Sequence, residues 1–113
     1  MYELQHHKSL RLEKWARYSG GHQILMTANE LNRAGNLIGK GMQSEVKTCY
    51  ERAMELTDLT SADTKWSGRL KELRRFREVL ASLYSDPTED ADLNRCLYDN
   101  LIKMEVEAYN IIG

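Results

Sequence analysis

Residues 39–59 read GKGMQSEVKTCYERAMELTDL, and their spacing decides the fold class. Met42, Val46, Cys49, Ala53 and Leu56 recur at steps of three and four, the period of a helix with one apolar face, and Tyr50 lies on its flank. Gly39 and Gly41 stand ahead of that face, and glycine just past a helix terminus usually ends the preceding helix. Upstream, Leu25, Ala28, Leu31, Gly35 and Ile38 form a second stripe, with Thr27, Glu30, Arg33 and Asn36 turned away. The stretch therefore reads as the turn and second arm of a helical hairpin, closing at about Leu59.

Downstream, the polar run TSAD supplies side chains able to cap a third helix, whose stripe is Trp66, Leu70, Leu73, Phe76, Leu80 and Leu83. SDPTED then marks a helix start, with Asp86 as N-cap, Pro87 at the first helical position and Glu89 in the first turn. The fourth stripe is Leu93, Leu97, Leu101, Met104, Ala108 and Ile111. No stretch alternates with the period of a strand. Short links favour antiparallel neighbours, so the expectation is an all-α protein, an up-down antiparallel four-helix bundle. Leu10, Trp15 and Tyr18 suggest a short helix broken at SGG, giving an N-terminal arm or short helix over 1–21 and a single bundle domain over 22–113.

The 113 residues suffice for one core and not two, and 42% hydrophobic with 29% charged residues is ordinary for a globular chain. A formal net charge of -1 gives no overall pull toward nucleic acid or anionic lipid. Charges throughout MYELQHHKSLRLEKWARYSGG leave no apolar signal-peptide core, and no run approaches a membrane span, so a cytoplasmic location is expected. Cys49 and Cys96 lack zinc or redox spacing and read as small hydrophobes. Glu3 and His6 form a Glu-x-x-His half-site beside His7, but no second such motif follows, so neither a metal nor a cofactor is expected.

With Gly41 at the turn, Ala34, Leu37, Val46, Tyr50 and Ala53 fall on core positions of a tetratricopeptide repeat, and residues 30–58 resemble one such hairpin. Glu30, Arg33 and Asp58 depart from its pattern, and one period later little of the pattern persists. A solenoid needs about three repeats, so the resemblance implies a close-packed hairpin and no superhelix. The wider pattern from Glu30 to Tyr84, including CYERAMELTDLT and RLKELRRFREVLASLY, resembles small uncharacterised bacterial all-helical proteins. That resemblance implies a fold and a bacterial origin, with no activity attached.

Arg17 and His22, in RYSGGH, resemble the R-x4-H motif of ribonucleases of the HEPN class, in which such a pair would stabilise phosphate and transfer a proton. In the segment KWSGRLKELRRFRE, the outward-facing Lys71, Arg74 and Arg75 are candidates for phosphate contact. The next segment is acidic, and two oppositely charged helices side by side account for both without nucleic acid. Asn100, among Leu97, Leu101 and Met104, is a candidate buried polar residue, although an edge position is the commoner fate of such a residue. The leading expectation is a non-enzymatic protein–protein interaction module that forms a homodimer or binds another protein. Trp15, Trp66, Tyr84 and Tyr98 are its interface candidates. The alternatives are a HEPN-like ribonuclease and nucleic-acid binding through the basic third helix.

Overall fold

Ser19 opens the first long helix: its hydroxyl accepts from the backbone N–H of His22 at 3.2 Å, satisfying a donor that the helix itself leaves unpaired. The structure, a computed structural model, describes residues 12–104. All regular structure among them is helical: α1 Leu12–Trp15, α2 Gly20–Leu37, α3 Gln43–Ala62, a 3-10 segment Thr64–Arg69, α4 Leu70–Ser85 and α5 Ala91–Met104. Leu10, Ala108 and Ile111, assigned above to apolar faces, lie outside the described residues, as do Glu3, His6 and His7. The short helix α1 stops before SGG, Ser19 caps α2, and Gly20 and Gly21 form the first turn of α2.

The buried face of α2 is Gln23, Ile24, Thr27, Ala28, Leu31 and Ala34. Thr27 was expected to point outward, yet it is buried, because its hydroxyl donates to the Gln23 carbonyl at 3.0 Å and its methyl can then enter the core. At the turn, Gly39 and Gly41 have φ of +80° and +71°, a region open to glycine at no steric cost. α3 then buries Val46, Cys49, Tyr50, Ala53 and Leu56. Tyr50 belongs to the interior and not to the flank. The helix continues beyond Leu59 to Ala62, where Asp63 ends it and caps the 3-10 segment through the Lys65 N–H at 3.1 Å.

α4 turns Leu73, Phe76, Leu80 and Leu83 inward, as its stripe predicts. The expected helix start at Asp86 and Pro87 is corrected by four residues. Asp86 instead closes a local turn, accepting from the N–H and hydroxyl of Thr88 at 2.8 and 2.7 Å. Glu89 has φ 52°, a left-handed conformation that no helix interior accommodates, and α5 begins only after Asp90 caps the Leu93 N–H at 2.9 Å.

α2 packs most extensively against α3 and also against α5, while α4 lies against α3 and, less extensively, α5. The 3-10 segment joins α3 to α4, and α1 rests on α3. Ile24, Leu31, Val46, Tyr50, Trp66, Leu73, Phe76, Leu80 and Leu101 meet in one cluster. Each large apolar side chain removed from water contributes about 1.5–3 kcal/mol, so this cluster is the main driving force for closing the helices together.

Candidate functional site

The two tryptophans expected at an interface are interior: Trp15 is 0% and Trp66 2% exposed. Each indole N–H has its own acceptor, which permits full burial. Trp15 Nε1 donates to Thr60 Oγ1 at 3.1 Å, and Trp66 Nε1 donates to Gln23 Oε1 at 2.7 Å. Gln23 Nε2 in turn donates to the Trp15 carbonyl at 2.9 Å and to Asp63 Oδ2 at 2.8 Å. Lys65 Nζ reaches Asp63 Oδ2 at 2.7 Å and the carbonyls of Ala16 and Tyr18 at 2.9 and 3.1 Å. Burial pushes the Asp63 carboxyl up, but the hydrogen bonds from Lys65 and Gln23 outweigh it and hold the group below its ordinary range. This network ties α1 and the start of α2 to the α3–α4 joint. Its groups are saturated by one another, so its work is structural.

Tyr84 and Tyr98 are half-buried and lie on different sides. Tyr84 donates to Glu51 Oε2 at 2.6 Å, and that bond to a carboxylate raises the phenol's pKa. Lys47 lies 4.7 Å from its ring centroid. Tyr98 sits over the α2–α5 seam beside Asn32 and Asn36, with Arg95 5.4 Å from its ring centroid. The four aromatic candidates therefore do not make one surface.

Arg17 and His22 are both exposed and stand on either side of the α1–α2 turn, Arg17 after α1 and His22 in the first turn of α2. His22 Nδ1 is 2.8 Å from the hydroxyl of Ser19, the residue that caps α2. Its ring is thus engaged with the helix start.

Lys71, Arg74 and Arg75 are exposed and take part in none of the ion pairs found among the described residues. Lys71 and Arg75 edge a groove between α4 and α5 of about 840 Å³. Its floor is Phe76 and Leu97, with the half-buried Val79, Leu93 and Met104 along its walls. Arg69, Lys71, Arg75 and Lys103 gather at one end, where Glu72 accepts from Arg69 at 2.8 Å and is held below the usual carboxylate range by that bond. Cys96 and Asn100 face the opening, both exposed. Asn100 thus takes the edge position, at the groove, and not the buried one.

That buried role belongs to Asn94, 4% exposed, whose amide donates to Tyr50 Oη at 2.9 Å. Asn94 stands three and seven residues before Leu97 and Leu101, on the same stripe, so its position was readable even though its partner was not. Gln23 gave no such signal. Among the described residues no group of three His, Cys, Asp or Glu side chains is placed to hold a metal ion, and no helix is long and apolar enough to cross a membrane. The groove offers an apolar floor with a cationic end, a combination that suits recognition of a helix with a matching apolar stripe. Comparison with protein-family models, curated proteins and solved structures returned no match.

Proposed function

We propose that this protein is a non-enzymatic helical interaction module whose working surface is the α4–α5 groove, and whose partner is a second copy of the chain or another protein. The four long helices are read as an up-down antiparallel bundle. The link of residues 86–90 supports this, since at about 3.3–3.6 Å per residue it is too short to return the chain to the start of a 16-residue helix. The observation that carries the proposal is the groove itself, with apolar walls left half-buried between helices that pack less closely than their neighbours. The interior network adds support, because a rigid frame loses little entropy when it binds. Free thiols at Cys49 and Cys96 suit a reducing compartment such as the cytoplasm.

The test uses Cys96, whose thiol opens onto the groove while Cys49 is buried. A bulky maleimide on Cys96 should abolish association with whatever partner the unlabelled protein binds. Undiminished association of the labelled protein would remove the groove as the surface.

A second reading, nucleic-acid binding, draws on the exposed Lys71, Arg74 and Arg75. It requires affinity for RNA or DNA that falls steeply with salt and is lost when Arg74 and Arg75 are reversed in charge. The HEPN-like alternative requires RNA cleavage that disappears on His22→Ala.

A further inference from the structure

The α4–α5 groove holds cations without counter-charges beside an apolar floor. Lys71, Arg75 and Lys103 line it, are exposed, and take part in none of the ion pairs found among the described residues. Glu72 is the one acidic side chain among the described lining residues, and Arg69 already holds it at 2.8 Å. Phe76, Val79, Leu93 and Leu97 continue the lining along the same two helices. An occupant that satisfies this surface brings acidic and apolar groups together.

That requirement sorts the occupants. A second copy presenting the same face would set cations against cations, with no acidic lining residue free to meet them. A nucleic-acid backbone would satisfy the cations but set phosphate and sugar against Phe76 and Leu97. An extended peptide would lay its backbone N–H and C=O groups on that apolar floor, and among the described residues no strand edge offers them partners. A helix keeps its backbone bonds within itself. Its side-chain ridges, at steps of three and four, match the spacing of Phe76 and Val79 on α4 and of Leu93 and Leu97 on α5. From Leu93 to Met104 is eleven residues of α5, about 16 Å, which is room for about three turns of such a helix.

We infer that the groove receives an acidic amphipathic helix of another protein, with its apolar stripe on Phe76, Val79, Leu93 and Leu97 and its carboxylates at Lys71, Arg75 and Lys103. The inference rests on the reading of the groove as an interaction surface and narrows the partner to one class of segment. The acidic residues belong in that helix's first turn, where its own dipole also favours them. The bound helix then runs from the Lys71 end toward Val79.

The probe is a synthetic peptide of about 15 residues, long enough to hold a helix, with leucines at steps of three and four, glutamates in its first turn and a fluorophore at its C-terminus. Fluorescence anisotropy with the full chain should show saturable binding, at least about tenfold tighter than for the same peptide with lysines in place of the glutamates. Lys71→Glu combined with Arg75→Glu changes only exposed side chains and should reverse that preference, once circular dichroism has confirmed the fold. Arg74→Glu, on α4 but outside the groove lining, should leave both affinities within about threefold. No binding of either peptide, or equal binding of both, would overturn the inference. So would a light-scattering mass of twice 13.1 kDa that a Cys96 label returns to the monomer, since the occupant is then a second copy. Binding of laurate in the groove with no binding of the peptide would overturn it too, and would make the groove a site for an acyl chain. In each of these cases the groove reading stands if a bulky label on Cys96 blocks the association that is found, and falls with the inference if it does not.

Discussion

Asn94 and Tyr50, 44 residues apart in sequence, meet in the interior, where the Asn94 amide donates to the phenol oxygen at 2.9 Å. The bond fastens α5 to α3 at a point where both side chains are nearly inaccessible. Tyr50→Phe leaves that amide N–H buried without an acceptor, so urea unfolding should show a loss of about 1–2 kcal/mol. Tyr50→Phe combined with Asn94→Leu removes donor and acceptor together, and should cost less than the sum of the two single changes.

Gly35 reports on the same bond from α2. A Cβ built there lies 2.9 Å from Asn94 Oδ1, closer than side chains tolerate. Gly35→Ala gains helix propensity of about 1 kcal/mol but must displace Asn94, so in the native background it should be neutral to destabilising. With Asn94→Ala the obstruction is gone, and the same change should become stabilising by up to that amount.

Asp63 makes stability depend on pH. Its carboxyl is held below the ordinary range, so the ionised form is favoured by folding. The stabilisation is complete above the carboxyl's unfolded pKa and is lost as the pH falls through its lower folded value. Asp63→Asn should cost about 1–3 kcal/mol at neutral pH, since it unbalances the bonds from Lys65 and Gln23. Urea midpoints of the two proteins should converge in acid; a constant gap across the titration would show that Asp63 does not carry the dependence.

The two aspartates flanking Pro87 separate the sequence reading from the structure. Asp90 is the residue that caps α5. Asp90→Ala should lower stability by about 1 kcal/mol, the usual loss for an N-cap, and should reduce helicity near Leu93 in hydrogen exchange. Asp86→Ala, which removes only the turn contacts to Thr88, should leave the exchange of α5 unchanged.

Helical period alone exposed most of the core, because α4 and α5 bury one face each and their stripes are regular. The period misled where a polar group satisfies itself locally. Thr27 bonds back to Gln23 and becomes core, and Gln23, which looks like a surface residue, joins the Trp66 indole to the Trp15 backbone carbonyl. Trp15 and Trp66 read as marginal aromatics, and their burial was not legible because the acceptors of their indole protons, Thr60 and Gln23, arrive from 45 and 43 residues away. The groove was half legible. Its cations were visible in RLKELRRFRE, but its walls depend on how far α4 and α5 stand apart, which tertiary packing alone sets.

The hairpin turn was legible in full, and it yields the sharpest backbone test. Gly39 and Gly41 hold positive φ with no side chain or backbone near enough to obstruct a Cβ, so a substitution there meets only conformational strain. Alanine at either position should cost about 1–2 kcal/mol, the penalty for placing an L-residue in the left-handed region. Gly68 likewise has open space around its Cα but no positive φ, and Gly68→Ala should be neutral or slightly stabilising by restricting the unfolded chain. Thermal melts of the three variants should order as Gly68→Ala above the two turn variants. Equal melting temperatures would mean that the α2–α3 turn adopts a different backbone in solution.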